Sequence, residues 1–307
     1  NAQLNFNFTN LAHLKEYFPY SLMHSNLHHW LSNAFLGGKI NNGRLVLHGK
    51  LSKFPFAHGG GQWKVSGNLQ NLHLNYAPGW PDIRHLMGQI IFTGQSMRVF
   101  AKSAMIDATP VSHLEASIGN LITQPKLNID FQSAATFKQG MHFLYQSPLT
   151  FAQKLHNLIV TGPYKLYLHL HIPLASTHQT TCLGKLSFQH DVIHLPKWHL
   201  QMNHLNGLLT FTNQDLTIKS MQANLFNQPL TLHLKTVPAQ HHKSLNFTMN
   251  GILPIIAATQ NYGIPLQYFA AGSSTFRSTL NIPFDSIKPT VLTLWSNLQG
   301  IDFKHVP

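Results

Sequence analysis

Residues 166–172 read Leu-Tyr-Leu-His-Leu-His-Ile, an alternation of aliphatic and polar or aromatic side chains with a period of two. The same period returns in Leu-Asn-Ile-Asp-Phe-Gln at 127–132, Leu-Thr-Leu-His-Leu-Lys at 230–235 and Leu-Asn-Phe-Thr-Met at 245–249. Successive side chains of a β-strand point to opposite faces, so each stretch predicts a strand with one apolar and one hydrated face. The chain is therefore expected to be mainly β.

Turn residues separate these strands along most of the chain. Further short strands are predicted at 44–51, 63–69, 72–76, 89–93, 97–102, 198–202, 208–212 and 216–219. Gly, Asn and Pro residues between them, such as Asn206-Gly207, favour hairpin connections and hence antiparallel pairing. We expect an elongated, twisted antiparallel sheet that is curled into an apolar groove, with a few short capping helices.

Three segments carry helical patterns. The first, at 22–36, has an apolar stripe and is expected to stop at Gly37-Gly38. The second, at 148–161, has Ser147 as its N-cap and a proline in its first turn. The third, within 254–271, is interrupted near Pro265 and is expected to form two short helices.

Each helical segment is followed by a strand that ends at a proline, namely Pro55, Pro173 and Pro283. Their spacing indicates a weak internal repeat. We expect residues 1–307 to form one continuous β-groove of about three weak repeats, at 1–56, 57–174 and 175–284, with a strand of a further repeat at 285–307. Since the chain has neither an initiator methionine nor a leader, we expect it to be an internal fragment of a longer protein.

Composition argues against several functional classes. Charged residues make up only 10% of the chain, and the polar faces carry Asn, Gln, Ser, Thr and 22 histidines instead. The net charge is +12 with neutral histidines, but lysines and arginines are scattered singly, so no nucleic-acid partner is expected. No apolar stretch reaches the about 20 residues that span a bilayer. Cys182 is the single cysteine and forms no intrachain disulfide.

The histidines invite a metal-binding hypothesis, but the other ligand types are scarce. Only nine acidic residues and one cysteine accompany them, whereas zinc sites usually include a carboxylate or a thiolate. No nucleophile elbow, phosphate-binding loop or paired carboxylates occur, so we expect no catalytic residue, no metal, no cofactor and no enzymatic activity. We expect histidines on the hydrated face, at His73, His169, His171, His199 and His233.

Two runs are specific enough to indicate a family: Tyr-Ala-Pro-Gly-Trp-Pro at 76–81 and Asn-Gly-x-x-x-Phe at 206–211. Shorter runs accompany them in order along the chain, at 29–31, 34–35, 37–38, 43, 49, 54–56, 74–75, 147–149, 172–174 and 205. Together they resemble the middle region of YhdP-type proteins of the AsmA-like superfamily of Gram-negative bacteria. The resemblance covers nearly the whole chain.

The resemblance implies a place and a role. Such proteins are anchored in the inner membrane by a helix outside this piece and project through the periplasm, so membrane contact would be made by parts absent here. They are bridge-like lipid transport proteins whose long curled sheet holds acyl chains. The resemblance therefore implies that phospholipid, or another acyl lipid, is the ligand. It also implies transport from the inner to the outer membrane and support of the outer-membrane permeability barrier. Protein partners are not implied.

On this interpretation, the apolar members of the alternating strands line the groove and the helices lie at its mouth or end. A shift of one residue in register would exchange the two faces of a strand. The candidate lipid-binding residues are Trp30, Leu31, Leu45, Leu47, Phe92, Leu127, Ile129, Phe131, Leu155, Leu166, Leu168, Leu170, Leu232, Leu234, Phe247 and Met249.

Two alternatives remain open at the level of sequence. The apolar faces of two sheets could pack on each other as a closed β-sandwich, which would make the chain a structural scaffold without a ligand. A rod of this kind could also bind protein by adding a strand to an exposed edge. Alternation alone does not separate these from a lipid groove.

Overall fold

A computed structural model describes residues 1–17, 25–54, 56, 59–149, 151–152, 158–196, 199–238, 243–263, 265, 268–284 and 288–304. Strands dominate these ranges, and every strand pair with a defined register is antiparallel. The predicted fold class, a mainly β structure built on an antiparallel sheet with a few short helices, is confirmed, and the sheet is open.

Seventeen strands and three α-helices lie in the described ranges. The strands are β1 (Ala2–Phe8), β2 (Phe35–Gly49), β3 (Gly61–Leu74), β4 (Ile83–Thr93), β5 (Ser96–Ile106), β6 (Thr109–Ile118), β7 (Lys126–Thr136), β8 (Ile159–Thr161), β9 (Pro163–Pro173), β10 (Thr181–Leu195), β11 (Leu200–Thr212), β12 (Leu216–Leu225), β13 (Gln228–Pro238), β14 (Lys243–Pro254), β15 (Ala270–Pro283), β16 (Val291–Ser296) and β17 (Ile301–Phe303). The helices are α1 (Ser25–Ala34), α2 (Phe137–Gln146) and α3 (Ile255–Asn261), with 3-10 turns at Leu11–Tyr17, Leu51–Lys53 and Thr177–Gln179.

The chain divides into two compact units. Unit 1 comprises Asn1–Ala135, Gln139–Pro148 and Leu166–Gly184, and unit 2 comprises Thr136–Lys138, Leu149–Lys165 and Lys185–Pro307. In unit 1, β1 to β7 form a meander in which each strand pairs with the next, and β7 also pairs with β9. In unit 2, β11 to β16 form a second meander, β8 pairs with β10, and β17 pairs with β15. The expected repeats remain a prediction.

Left-handed backbone at histidine and asparagine bends both meanders. Asn42, Asn71, His85, His113 and His204 have φ between 51° and 54°, and each lies where the strand register shifts. Asn and His enter this region more readily than most residues. An extra residue in one strand increases its twist and bends it. Several of the many histidines therefore serve to curl the sheet.

The bulges also correct the predicted strand boundaries. The segments 63–69 and 72–76 belong to one strand, β3, because Asn71 forms a bulge and not a turn. The segments 198–202 and 208–212 fall on β11, as far as described, and the Asn206-Gly207 pair lies inside that strand. Residue patterns that favour a turn are thus absorbed into long, bent strands.

The helices confirm the prediction only in part. Helix α1 lies within the predicted 22–36 and ends at Ala34, before Gly37-Gly38, which belong to β2; residues 18–24 lie outside the described ranges. The predicted helix at 148–161 is wrong at its end, because 159–161 form strand β8, while 153–157 lie outside the described residues. Ser147 is not an N-cap: it follows the last residue of α2, and its Oγ donates to the Leu144 carbonyl at 2.7 Å.

The third predicted helical segment and the prolines predicted at strand ends also agree with the structure only in part. Helix α3 covers 255–261, but Ala270 and Ala271 begin β15, so no second helix reaches 271. Pro173 and Pro283 end β9 and β15 as predicted, and Pro55 lies outside the described ranges. A proline at a strand end removes one ladder donor without interrupting the sheet.

Candidate functional site

A row of apolar side chains crosses the strands of unit 1. Paired positions place seven residues opposite one another from β1 to β7: Leu4, Leu45, Val65, Phe92, Met97, Ile118 and Leu127. Leu4 is 57% exposed, whereas Leu127 is only 1% exposed. A second row, Gly67, Ile90, Val99, Ala116 and Ile129, runs beside it. The apolar surface is thus continuous across the strands and becomes buried toward β7.

The inner face of unit 1 encloses a small cavity lined only by apolar and aromatic residues. Its volume is about 20 Å³, which is room for one or two water molecules and far too little for an acyl chain. Because side chains of β2 to β7 line one space, the apolar faces of these strands turn toward one another. The lining residues are Trp30, Phe35, Leu72, Leu74, Ile83, Leu86, Ile90, Met97, Val99, Leu114, Ala116, Leu127 and Ile129.

Helix α1 covers this cavity with its apolar side. Leu27, Trp30, Leu31 and Ala34 are buried, in keeping with spacings of three and four residues that place them on one helical face. The indole Nε1–H of Trp30 donates to the Tyr76 carbonyl at 2.9 Å in a buried hydrogen bond. A buried indole needs such a partner, so this bond fixes α1 over the cavity.

The segment between β3 and β4 packs beside α1. Tyr76 and Trp80 are 1% and 5% exposed, and the Trp80 ring lies 6.2 Å from the ring of Phe143 on α2. Gly79 has φ +78°, a conformation that glycine adopts without strain. The family-specific run 76–81 is therefore an aromatic segment that packs beside both α1 and α2.

The opposite face of the same strands is polar and hydrogen-bonded. Nδ1 of His169 lies 2.8 Å from Oδ1 of Asp130, and Tyr167 Oη donates to the same oxygen at 2.6 Å. This hydrogen bond raises the pKa of Tyr167. Nδ1 of His171 lies 2.7 Å from Oδ1 of Asn128. Side chains from β7 and β9 thus pair across the hydrated face, as the alternation predicted.

Unit 2 carries a comparable apolar row. Register pairs Ile218 with Leu234, Leu234 with Phe247, Phe247 with Leu280, and Leu280 with Leu292, from β12 to β16. Ile218, Leu234 and Leu280 are buried, Phe247 is half-buried, and Leu292 is 54% exposed. The row beside it includes Leu232 and Met249, of which Met249 is half-buried. The apolar surface of unit 2 is therefore partly open on β14 and open on β16.

The predicted site residues fall into two groups. In unit 1, Leu47, Leu127, Ile129, Phe131, Leu166, Leu168, Leu170, Trp30 and Leu31 are buried, and Leu45 and Phe92 are half-buried. In unit 2, Leu232 and Leu234 are buried opposite half-buried Met249 and Phe247. Leu155 lies outside the described residues. Of the predicted residues, Trp30, Leu127 and Ile129 line the cavity.

Sequence reasoning missed most of the cavity lining. The period of two does not predict residues on β4 to β6 such as Ile83, Leu86 and Leu114, although they are buried. Bulges at His85 and His113 break the period of two beside them, so alternation is weakest where the sheet bends. In the sequence, a histidine or asparagine that interrupts the alternation of apolar residues would indicate such a bulge and therefore the buried residues beside it.

The described residues offer little reactive chemistry. No group of three or more His, Cys, Asp or Glu in these ranges is arranged to hold a metal ion. Burial raises the pKa of the Cys182 thiol to about 12, so the reactive thiolate is scarce at neutral pH. None of the helices in the described ranges combines the length and hydrophobicity required to span a bilayer.

Comparisons with known proteins agree with the matched sequence runs. The family model described as YhdP protein matches residues 1–307. The intermembrane phospholipid transporter YhdP of Escherichia coli (strain K12) is 27% identical over 237 residues, which cover 76% of this chain and 19% of that protein. The matched part of the chain thus spans less than a fifth of the length of that relative. No solved structure matches the chain.

Proposed function

The chain belongs to the YhdP family, and we propose that it is one section of a phospholipid conduit that holds acyl chains on its apolar rows. The observation that carries the proposal is the continuity of these rows across the strands, from Leu45 to Leu127 in unit 1 and from Ile218 to Leu292 in unit 2. An acyl chain laid along such a row touches every strand in turn and needs no specific contact.

The energetics of such a surface are sufficient to hold lipid. Burial contributes ~0.8 kcal/mol per CH₂ group, so an acyl chain of about sixteen carbons gains on the order of 10 kcal/mol when fully covered. Contiguous exposed apolar surface is typical of binding sites, and Leu4 and Leu292 expose such surface at the open ends of the two rows. Charged and polar residues of the opposite face, such as His169 and Asp130, remain in water.

The two units offer different access. The half-buried Phe247 and Met249 present apolar surface that a lipid reaches directly. In unit 1 the cavity of about 20 Å³ must widen before an acyl chain enters, and α1 with Trp30 lies over it. We therefore place the first acyl contact on β14 and treat unit 1 as a surface that opens when lipid arrives.

The rest of the proposal concerns the longer protein. The lipid is a phospholipid, the location is the periplasm, and the anchor in the inner membrane is supplied by parts outside this chain. The weak repeats at 1–56, 57–174 and 175–284 would each contribute apolar strands to the conduit. These statements rest on the relation to a phospholipid transporter.

One observation favours a second candidate, a scaffold without a ligand. The inner face of unit 1 is nearly filled by its own side chains, with Ile118, Leu168 and Leu170 each 0% exposed. A closely packed interior is what a closed structural core requires. The scaffold would share the fold but would carry no lipid.

Extraction of bound lipid from the protein, purified from a Gram-negative host, distinguishes the lipid conduit from the scaffold. Organic solvent should release phospholipid in amounts comparable to the protein, as quantified by mass spectrometry. The Phe247→Asp variant, which places a charge on the apolar row, should carry several-fold less lipid. The matched Thr248→Asp variant, on the other face of β14, should carry as much as the unmodified chain. Background lipid in all three samples would support the scaffold.

A further inference from the structure

Ser278 places a hydroxyl group within an apolar row of unit 2. Register sets it opposite Met249 of β14 on one side and opposite Leu294 of β16 on the other. Met249 in turn pairs with Leu232 of β13. Directly paired residues of antiparallel strands project to the same face of the sheet. The row that runs beside Phe247 therefore carries a polar group between two large apolar side chains.

This hydroxyl is buried and has no hydrogen-bond partner in the described chain. Ser278 is 3% exposed, and no atom of the described residues hydrogen-bonds to its Oγ. Ser274, on the same face of β15, differs, because its Oγ lies 2.9 Å from Oγ of Ser296. Buried polar groups are nearly always satisfied, and leaving one unpaired destabilises the fold. An acceptor from outside the described chain would complete the bonding of Ser278.

A ligand that lies on the row can reach this position. Phe276 and Leu280 flank Ser278 on the same face of β15, and Met249 and Leu294 flank it across the sheet. All of these side chains are longer than serine, which explains why the hydroxyl is shielded. Leu294 is 57% exposed and Met249 is half-buried. Exposed side chains change rotamer within nanoseconds, so a ligand that displaces Leu294 comes directly onto Ser278.

The chemistry of this face favours an uncharged acceptor. The side chains that flank Ser278 on its own face are apolar. Arg277, the charged residue next to it in sequence, lies on the opposite face, where it pairs with Asn250. A phosphate group would therefore lose its hydration here without gaining a counter-charge. The ester carbonyl of an acyl lipid carries no charge and requires one neutral donor.

We propose that the Ser278 hydroxyl donates a hydrogen bond to an ester carbonyl of the acyl lipid that lies on the apolar rows of unit 2. This inference rests on the proposed function and assigns one polar contact within it. The acyl chain then lies against Phe247 and Met249 on β14. The glycerol end of the lipid stops at β15, and the headgroup remains in water beyond it. The bond thus sets the position of the lipid along a row that is otherwise unspecific.

The test compares two lipids that differ only at the proposed acceptor. The delipidated chain is titrated with diacyl phosphatidylglycerol and with its dialkyl ether analogue of equal chain length, both below their critical micelle concentrations. The unmodified chain should bind the ester lipid about three- to tenfold more tightly, the range expected for one neutral hydrogen bond. Ser278→Ala should bind both lipids equally. The infrared ester-carbonyl stretch of the bound diacyl lipid should lie at a lower frequency with the unmodified chain than with Ser278→Ala.

Two controls separate this role from a structural one. Ser274→Ala removes a hydroxyl that is already bonded within the protein, and this variant should keep the ester preference. Without lipid, Ser278→Ala should unfold at the same or a higher temperature than the unmodified chain, because it removes an unpaired buried hydroxyl.

Three results would overturn the inference alone: equal binding of both lipids by the unmodified chain, an ester preference that survives in Ser278→Ala, or a Ser278→Ala variant that unfolds at a lower temperature. Binding of neither lipid by the unmodified chain would overturn the proposed function as well.

Discussion

Leu234 on β13 and Phe247 on β14 stand directly opposite each other in the same apolar row, yet only Leu234 is fully buried, at 3% exposure. Phe247 remains half-buried. The row thus changes from a packed interior to an accessible apolar surface between two neighbouring strands. This is where a lipid would meet the protein without prior rearrangement.

The first prediction concerns charge on that row. Phe247→Asp should lower bound phospholipid several-fold with a modest loss of stability, because its carboxylate still reaches water. The same change at Leu168, which is 0% exposed, should cost several kcal/mol of unfolding free energy, since a buried charge lacks a partner. Lipid content and urea denaturation of both variants measure the contrast. Equal lipid content in Phe247→Asp and Thr248→Asp would refute it.

The second prediction concerns the bulge at His113, where φ is 51°. His113→Gly should leave the unfolding free energy unchanged or raise it, because glycine adopts this conformation freely. His113→Val should lower it by about 1–2 kcal/mol, since a branched side chain is strained there. Ser117→Val, at a regular position of β6, serves as the control and should be neutral or stabilising. A His113→Val variant as stable as Ser117→Val would contradict the role of the bulge.

The third prediction is the pH dependence contributed by Asp191. This carboxyl is 1% exposed, and Oδ2 accepts from the Gln189 N–H at 2.7 Å. Burial raises its pKa above the ordinary value of 3.8. The folded state then binds the proton more tightly than the unfolded state, so the stability that this group contributes is greatest at acid pH. It falls as pH rises from about the ordinary pKa through the raised one.

Asp191→Asn removes that contribution. The unfolding free energy of the variant, taken relative to that of the unmodified chain, should be lowest near pH 4 and should rise toward pH 7. Denaturation at several pH values measures the difference in unfolding free energy between the two proteins. The contributions of the other carboxyl groups are common to both proteins and cancel in this difference. A difference that does not change with pH would show that Asp191 titrates alike in both states.

The fourth prediction concerns the hydrogen bond that fixes α1. Trp30→Phe keeps an aromatic ring but removes the donor to the Tyr76 carbonyl, so the unfolding free energy should fall by about 1–3 kcal/mol. Trp295→Phe, at a residue that is 62% exposed, should have little effect. Comparable losses from the two substitutions would mean that the Trp30 bond is not specific to the docking of α1.

Sequence reasoning succeeded where the alternation of side chains was regular. Stretches such as 127–132 and 230–235 lie on strands, and Leu127, Leu232 and Leu234 are buried while His233 on the other face is only half-buried. It could not locate α2, because residues 137–146 contain Gly140 inside the helix and local propensity disfavours it. Contacts distant in sequence, such as Phe143 with Trp80, stabilise that helix instead.

The buried hydroxyl of Tyr76 forms no hydrogen bond with the described residues, which a sequence cannot show. The run 76–81 identified the family, but no pattern reveals that Asp82 is already bound by His73 and Asn75. The sequence likewise does not predict which members of an apolar row are accessible to solvent. Leu234 and Phe247 alternate identically with polar neighbours, and only the packing of adjacent strands makes one more accessible than the other.

Site-specific photocrosslinking in living bacteria tests the conduit most directly. A photoreactive residue is placed at Phe247 or Met249 on the apolar row, and at Thr248 or Asn250 on the opposite face of β14. Phospholipid should be crosslinked at the first two positions and not at the second two. Equal labelling of both faces, or no lipid at any of the four positions, would contradict lipid binding on this row and leave a structural rod.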